Sequence, residues 1–334
     1  MPEYPLPEEG GHVADAGGCR RRQRTAIPLD PPSSGRGKTR AISGILLLDK
    51  PTGISSNRAL QQAKRLFGAA KAGHTGSLDP LATGLLPICF GEATKIAGYL
   101  LGASKAYAAD CRLGVTTDSG DSDGAVLEQR ALPVLDDDTI LAALTHFTGH
   151  ITQVPPVYSA LKQGGVPLYK RARRGEVVVV PPREVDVFRF DLESRDGDTL
   201  RLHVECGSGT YVRSLVRDLG EAFGCGAHLT ALRRLWVEPF REPRMHTLDE
   251  LAELHAAGGT HALDAILLPI AAGLADWPVL RLDERGVDAV AHGRPLTVDG
   301  AAGRCRALAP DGRLLAIGEV GSDGRFAILR GFGG

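Results

Sequence analysis

From residue 43 onward the hydrophobic positions recur with two different periods, and the period decides the element. Residues 44–48 form one continuous apolar run, short enough for a buried strand, and Asp49-Lys50-Pro51-Thr52-Gly53 then turns the chain. Ser55 or Ser56 caps a helix whose apolar stripe is Leu60, Ala63, Leu66 and Phe67, and Gly68 ends it. A short helix is predicted over residues 92–101. Tyr107, Ala109, Cys111 and Leu113 alternate with other residues, so they share one face of a strand. Asp136 or Asp138 caps a further helix, with Ile140, Leu144 and Phe147 at helical spacing before Gly149. Two strands follow, one with Phe188, Phe190 and Leu192 on a face, the next with Leu200, Leu202, Val204 and Cys206. A helix over residues 211–223 carries Leu215, Leu219 and Phe223. A strand over residues 229–237 and a helix capped by Thr247 complete this part.

Three stretches break the periodicity. Residues 1–40 are rich in Pro, Gly and charge, carry Arg20, Arg21, Arg22 and Arg24, and show no apolar period, so they read as a disordered tail. Residues 155–183 are punctuated by Pro155, Pro156, Gly164, Gly165, Pro167, Pro181 and Pro182 and read as a long excursion from the core. After Asp276-Trp277-Pro278 the composition shifts. Short strands around residues 304–308, 314–320 and 325–329 with Gly and Asp turns mark a small β-rich domain over residues 276–334. Strands and helices mix without regular βαβ alternation between 41 and 275. The fold class is therefore α+β, a mixed sheet with a second, β-rich domain.

Composition removes several function classes. The 334 residues are 43% hydrophobic and 24% charged with a net charge of −1, the profile of a globular protein whose bulk charge points to no polyanion. The six cysteines, Cys19, Cys89, Cys111, Cys206, Cys225 and Cys305, are scattered, and no Cys/His cluster has metal-ligand spacing. Several fall in apolar runs, where buried free thiols are expected. With no signal peptide and no apolar run of the roughly 20 residues a membrane span needs, a cytoplasmic protein is expected.

Chemistry concentrates in Gly73-His74-Thr75-Gly76-Ser77-Leu78-Asp79-Pro80-Leu81-Ala82-Thr83-Gly84. Glycines allow tight turns and close approach to a ligand, Pro80 restricts the backbone of Asp79, and His74, Thr75 and Ser77 add hydrogen-bonding groups. An Asp alone in such a loop is a turn residue, and its companions elsewhere change that reading. Arg213, in the Gly-rich turn Gly207-Ser208-Gly209-Thr210-Tyr211-Val212-Arg213, is a candidate cation to orient it. Tyr107 can offer ring and hydroxyl to a planar ligand. Lys162, Lys170, Arg171, Arg173, Arg174 and Arg183 stand against Glu176 alone in the excursion, with Tyr158 and Tyr169 interleaved, a pattern suited to a phosphate backbone and exposed bases. Asp118, Asp121 and Asp123 lack calcium-loop spacing and read as turn chemistry, with one of them orienting a basic partner.

Taken together these stretches resemble the TruB-type tRNA pseudouridine synthases. The resemblance rests on ordered motifs: residues 44–56 (GILLLDKPTGISS), the loop 73–84, residues 153–162 (QVPPVYSALK), residues 206–220, and Gly226-Ala227-His228-Leu229 through Leu232-Arg233-Arg234. It spans roughly residues 43–330. It implies a mixed-sheet pseudouridine synthase catalytic domain followed by a PUA-like domain that contacts the tRNA stem. It implies isomerisation of uridine 55 in the tRNA T loop without redox change or cofactor. Residue by residue, it implies Asp79 as nucleophile toward C1′ or C6 and Tyr107 stacked on the flipped base and able to take the C5 proton. Arg213 pairs with Asp79, and His74 fills the space the base leaves. Tyr211 and Leu232 line the pocket, Lys50 and Pro51 support it, and Asp121 holds Arg213 or tunes the pocket. Lys162, Arg171 and Arg174 belong to the loop that grips the T-stem loop. The short C-terminal domain favours a stand-alone monomeric enzyme needing no protein partner. Two readings compete: a tRNA-folding chaperone with incidental catalysis, in which Asp79 is dispensable, and an Asp-dependent nucleoside hydrolase, which would release free uracil.

Overall fold

The computed structural model describes residues 39–159, 161–168, 171, 174, 176, 178–299 and 302–333, the side chains of Lys162 and Pro167 excepted. The expected tail up to residue 38, with Cys19, and Tyr169, Lys170 and Arg173 of the excursion lie outside the described residues. Arg40, assigned to the tail from sequence, is anchored instead. Its guanidinium pairs with Asp264 and its Nε donates to the Phe67 carbonyl at 2.8 Å.

The strands are β1 (Gly44–Lys50), β2 (Ala72–His74), β3 (Thr83–Phe90), β4 (Lys105–Leu113), β5 (Val115–Thr117), β6 (Val126–Gln129), β7 (Gly149–Gln153), β8 (Lys162–Gln163), β9 (Val166–Pro167), β10 (Arg183–Asp196), β11 (Thr199–Cys206) and β12 (Ala227–Val237). An eight-stranded sheet runs β1-β3-β12-β4-β11-β10-β7, with β2 added beside β3. All its pairings are antiparallel except β3 with β12, so the sheet is mixed as expected. The helices are α1 (Ser56–Leu66), α2 (Ala97–Leu101), α3 (Asp137–His146), α4 (Val212–Ala222) and α5 (Leu248–Asp264).

One core joins α1, α3, α4 and α5 to one face of the sheet through Ala63, Phe67, Ile140, Leu144, Leu215, Leu219, Leu251, Leu46, Leu48, Ile88 and Cys111. Each large apolar side chain buried there contributes about 1.5–3 kcal/mol. A second core covers the opposite face of β1 and β3, with Ile45, Leu47, Leu85 and Cys89 packed against Ile96, Leu100, Val237 and Leu274. The continuous apolar run of β1 is thereby explained, because both of its faces are dry.

The second core also receives Leu308, Leu314, Ile317 and Phe332 from a five-stranded sheet. That sheet comprises β13 (Val279–Arg281), β14 (Leu296–Thr297), β15 (Gly303–Leu308), β16 (Leu314–Val320) and β17 (Arg325–Gly331), with helix α6 (Glu284–Ala291) beside it. Arg306 donates to the carbonyls of Ala271 and Ala275 at 2.9 and 3.0 Å, and Lys95 donates to Gly331 at 2.8 Å. The β-rich module thus stands on the back of the sheet.

Several expectations are corrected. The single helix over 92–101 is two pieces, a 3-10 turn Gly91–Lys95 and α2, parted at Ile96. The three-residue period of the first piece brings Ala93 and Ile96 to one buried side. Phe188 and Phe190 do not share a face. A bulge between Val187 and Arg189 reverses the alternation, leaving Phe188 57% exposed and Phe190 3%. Strand β3 escapes sequence reading because Gly84 and Pro87 interrupt it. Pro87 lacks an N–H, yet its carbonyl accepts from Thr75 N at 3.1 Å. Ser55, not Ser56, caps α1, accepting from Arg58 N at 3.2 Å, and Asp136 caps α3, accepting from Thr139 N at 2.9 Å. Thr247 and Glu250 form a reciprocal capping box on α5. The described cysteines, Cys89, Cys111, Cys206, Cys225 and Cys305, are buried and free.

Candidate active site

The Asp79 loop connects β2 to β3, and its backbone is held from beneath. The hydroxyl of Ser56, released from capping, accepts from Leu78 N at 2.7 Å and donates to Leu78 O at 3.0 Å. On the other side of Asp79, Lys50 Nζ donates to the carbonyls of Ala82, Pro51 and Pro80 at 2.7, 2.8 and 3.4 Å. Lys50 is 0% exposed, and burial brings its pKa down to about 8 against the opposing pull of the Asp79 charge. Gly84 has φ +93°, and a Cβ there would come within 2.2 Å of the Arg234 carbonyl oxygen, so β3 passes β12 at a distance only glycine permits.

Opposite the loop, α4 presents Arg213 in its first turn. Arg213 is 5% exposed. Its Nη2 lies 2.9 Å from Asp79 Oδ2 and donates to the Tyr158 carbonyl at 2.8 Å. Its Nη1 donates to the Ser119 carbonyl at 2.7 Å and lies 3.5 Å from Asp121 Oδ2. Asp121 is itself buried, accepting from Ser119 Oγ at 2.5 Å and Asp123 N at 3.2 Å. One guanidinium therefore stands between two carboxylates, of which only Asp79 opens outward, with 42% of its side chain exposed. Burial raises the Asp79 pKa, the Arg213 charge opposes that rise, and the Asp121 charge adds to it.

The start of α4 is clamped in turn. Tyr211 N donates to Gln153 Oε1 at 2.8 Å and Gln153 Nε2 donates to Tyr211 O at 3.1 Å, so one buried amide satisfies both backbone groups of the residue that begins the helix. Ser214 Oγ and Arg217 Nη2 donate to Val154 O at 2.8 and 3.0 Å. Burial raises the pKa of the Tyr211 phenol, and the nearby Ser159 hydroxyl works against that.

Asp79, Tyr107, Tyr211, Leu232 and Arg213 line one cavity of about 450 Å³, together with Lys105, Arg234 and the Gly207–Gly209 turn. Asp79 is the carboxylate in that lining. Tyr107 and Arg234 face each other across β4 and β12, in register. Lys105 Nζ donates to the carbonyls of Leu101 and Ala103, and burial together with the Arg234 charge brings its pKa down to about 8.

The other residues singled out from sequence fall elsewhere. Lys50 and Asp121 lie behind the cavity wall, and Pro51 is exposed beside the loop. His74 sits on β2, half-buried, with Nδ1 unpartnered among the described residues and its pKa lowered by burial and by Arg234. Arg171 and Arg174 belong to the excursion and do not line the cavity; the Lys162 side chain lies outside the described residues. Sequence reading passed over Ser56, Gln153, Lys105 and Arg234. For Arg234 one signal existed. It has the parity of Leu232 and Trp236 on β12, both buried, so an arginine stood on an inward face.

Two solved structures share the fold. One is a Cbf5-Nop10-Gar1 complex, with TM-score 0.67 and 24% identity over 87% of this chain and 85% of that one. The other is an archaeal Nop10-Cbf5 complex, with TM-score 0.67 and 25% identity over 89% and 87%. Residues 64–212 match the model of the TruB family pseudouridylate synthase N-terminal domain. Residues 213–275 match the tRNA pseudouridylate synthase B C-terminal domain, and residues 277–325 match the tRNA pseudouridine synthase II C-terminal model. The tRNA pseudouridine synthase B of Xanthomonas campestris strain B100 is 56% identical over 297 residues, 88% of this chain and 96% of the relative. That of Pseudomonas syringae strain B728a is 52% identical over 293 residues, 87% and 96%. Fold and site thus define a pseudouridine synthase. Within that class, the chain belongs to the TruB family.

Proposed function

We propose that the protein isomerises uridine 55 in the T loop of tRNA to pseudouridine, acting as a monomer on the T-stem loop without cofactor. The observation that carries the reading is one cavity lined both by Asp79, aimed by Arg213, and by Tyr107. A base held inside an RNA loop must be flipped to reach such a cavity, at a cost of a few kcal/mol. Stacking on Tyr107, contact with Leu232 and Tyr211, and occupation of the vacated space by His74 offset that cost.

In the substitution at C1′, the Asp79 carboxylate forms a bond to C1′ while the C1′–N1 bond breaks, its electron pair leaving on the uracil ring. The ring rotates, C5 bonds to C1′ and the carboxylate departs. The C5 proton then passes to the Tyr107 oxygen in its phenolate form, and the C–H pair closes the C5=C6 double bond while the C6=N1 pair returns to N1. N1 takes a proton from water, and the hydroxide left takes the phenolic proton to reset Tyr107. Addition of Asp79 to C6 is the other route to the same product, and the same geometry serves it. Arg213 orients the carboxylate and opposes the rise in pKa that burial causes. Tested on an unmodified tRNA transcript, the protein is expected to leave a single pseudouridine in the T loop, read by chemical mapping. Release of free uracil would instead mark a hydrolase, and an unchanged transcript would overturn the reading.

A further inference from the structure

The cavity holds a second buried arginine whose surroundings differ from those of Arg213. Arg234 is 1% exposed. Its Nε donates to Leu85 O on β3 at 2.7 Å and its Nη2 to Gly76 O of the Asp79 loop at 3.2 Å. It stands in register opposite Tyr107 across β4 and β12, and both line the cavity. A Cβ built on Gly76 would lie 3.6 Å from Arg234 Nη1, so the loop rests directly on the guanidinium. Every one of these acceptors is a neutral oxygen. Among the described residues no carboxylate lies within the 4.0 Å of an ion pair from it, whereas Arg213 has two. Carbonyl oxygens satisfy the N–H groups of a buried guanidinium and leave its charge uncompensated.

An uncompensated buried cation is costly in the resting protein and favourable once an anion forms beside it. Resting on the reading above, we propose that Arg234 is the positioning residue for proton transfer at C5: it holds the Tyr107 oxygen over the base and stabilises the negative charge that oxygen carries when it accepts the proton. Tyr107 accepts a proton only as the phenolate. Burial raises its pKa and the Arg234 charge lowers it. The other charged or titratable groups around Tyr107 are Cys206 from β11, Asp79 from the loop and Lys105 two residues along its own strand. The first two raise the phenol pKa, so Arg234 is the group that counters them.

The test uses the full-length enzyme on tRNA, with Arg234→Met and Arg234→Lys in wild-type and Tyr107→Phe backgrounds. Loss of a proton-transfer aid predicts a fall in kcat of roughly 100-fold in Arg234→Met, with KM for tRNA within about threefold. The log kcat–pH profile moves to higher pH by about one unit, because the phenolate becomes harder to form. A C5-deuterium isotope effect on kcat rises, and Arg234→Lys recovers part of the rate. In the Tyr107→Phe background the same substitution costs less than about threefold further, since the group it serves is gone. Full additivity of the two substitutions, or a rate loss with an unmoved pH profile and isotope effect, would reduce Arg234 to a brace for the loop and overturn the proposal. If Arg234→Met does not fold, the pH profile and isotope effect of Arg234→Lys decide in the same way. A wild-type enzyme that forms no pseudouridine would overturn the functional reading instead.

Discussion

The two walls of the cavity each carry a buried arginine, and the company each keeps is different. On the α4 wall, Arg213 stands between Asp79 and Asp121, and its two Nη groups also donate to the carbonyls of Ser119 and Tyr158, while its Nε has no partner among the described residues. On the sheet wall, Arg234 donates to two carbonyls and stands opposite Tyr107, with no carboxylate partner among the described residues. In the first arrangement the cation is fully paired with carboxylates. It fixes where Asp79 points and opposes the rise in its pKa that burial causes. The second leaves positive charge on the side where, in the proposed reaction, the base develops negative charge. Burying a lone ion costs several kcal/mol, so an unpaired guanidinium persists only where the fold overdetermines it. Here β3, β12 and the Asp79 loop do so together.

The comparison breaks most visibly at Asp79. Asp79→Asn keeps the shape of the side chain and removes its charge, so Arg213 retains Asp121 and its two carbonyls. Pseudouridine formation is expected to fall by roughly 10⁴-fold or more, as on loss of a nucleophile. Thermal stability and tRNA Kd should stay close to wild type. Turnover retained in this variant, measured by chemical mapping over long incubations, would remove Asp79 from the chemistry and favour a binding role for the whole cavity.

A smaller effect isolates the α4 wall. Gln153→Leu leaves the N–H of Tyr211 without its partner, a defect that costs about 1–3 kcal/mol, while the Tyr211 carbonyl still accepts from Ser214 N and Leu215 N. Because Arg213 follows two residues later, kcat/KM should fall by roughly 10- to 100-fold, in proportion to that energy. The C5-deuterium isotope effect should stay at its wild-type value, since Tyr107 and Arg234 lie on the other wall. A changed isotope effect would show the two walls to be one coupled unit.

What was legible in the sequence follows the same division between local and distant causes. Period and capping residues are local, so the strands carrying Tyr107 and Leu202 and the helices carrying Leu60 and Leu215 could be read directly. Phe188 misled because a bulge is one extra residue that no period announces, and β3 was hidden by Pro87 within it. At the site, Asp79 and Arg213 stood out by residue type within ordered motifs and Tyr107 by its type on a strand, and the structure gathers them around one cavity. Ser56, Gln153 and Arg234 did not stand out. Each acts on backbone atoms distant in the chain, Ser56 on Leu78, Gln153 on Tyr211 and Arg234 on Gly76. A side chain's type is written in the sequence, but a backbone partner 22, 58 or 158 residues away is written only in the fold.

The smallest expected effect lies outside both walls and sets the scale for them. Arg171 and Arg174 were grouped from sequence as equivalent cations of the RNA-gripping excursion. In the structure Arg171 donates to Glu176 and to Gln163, both at 2.6 Å, and is largely covered. Arg174 is 67% exposed and only 3.8 Å from the same Glu176. A cation already neutralised by a neighbour releases few counterions when it meets a phosphate, and an exposed one releases nearly a full complement. Arg174→Gln should therefore weaken tRNA binding and flatten the slope of log K against log salt by about one, with kcat unchanged. Arg171→Gln should flatten it by less, because removing that arginine also frees Glu176. Equal slopes for the two variants, measured by filter binding across a salt series, would mean that the Arg171–Glu176 pair opens when RNA arrives. A slope unchanged in both would place the phosphate contacts away from this loop, leaving the two walls of the cavity to account for affinity as well as chemistry.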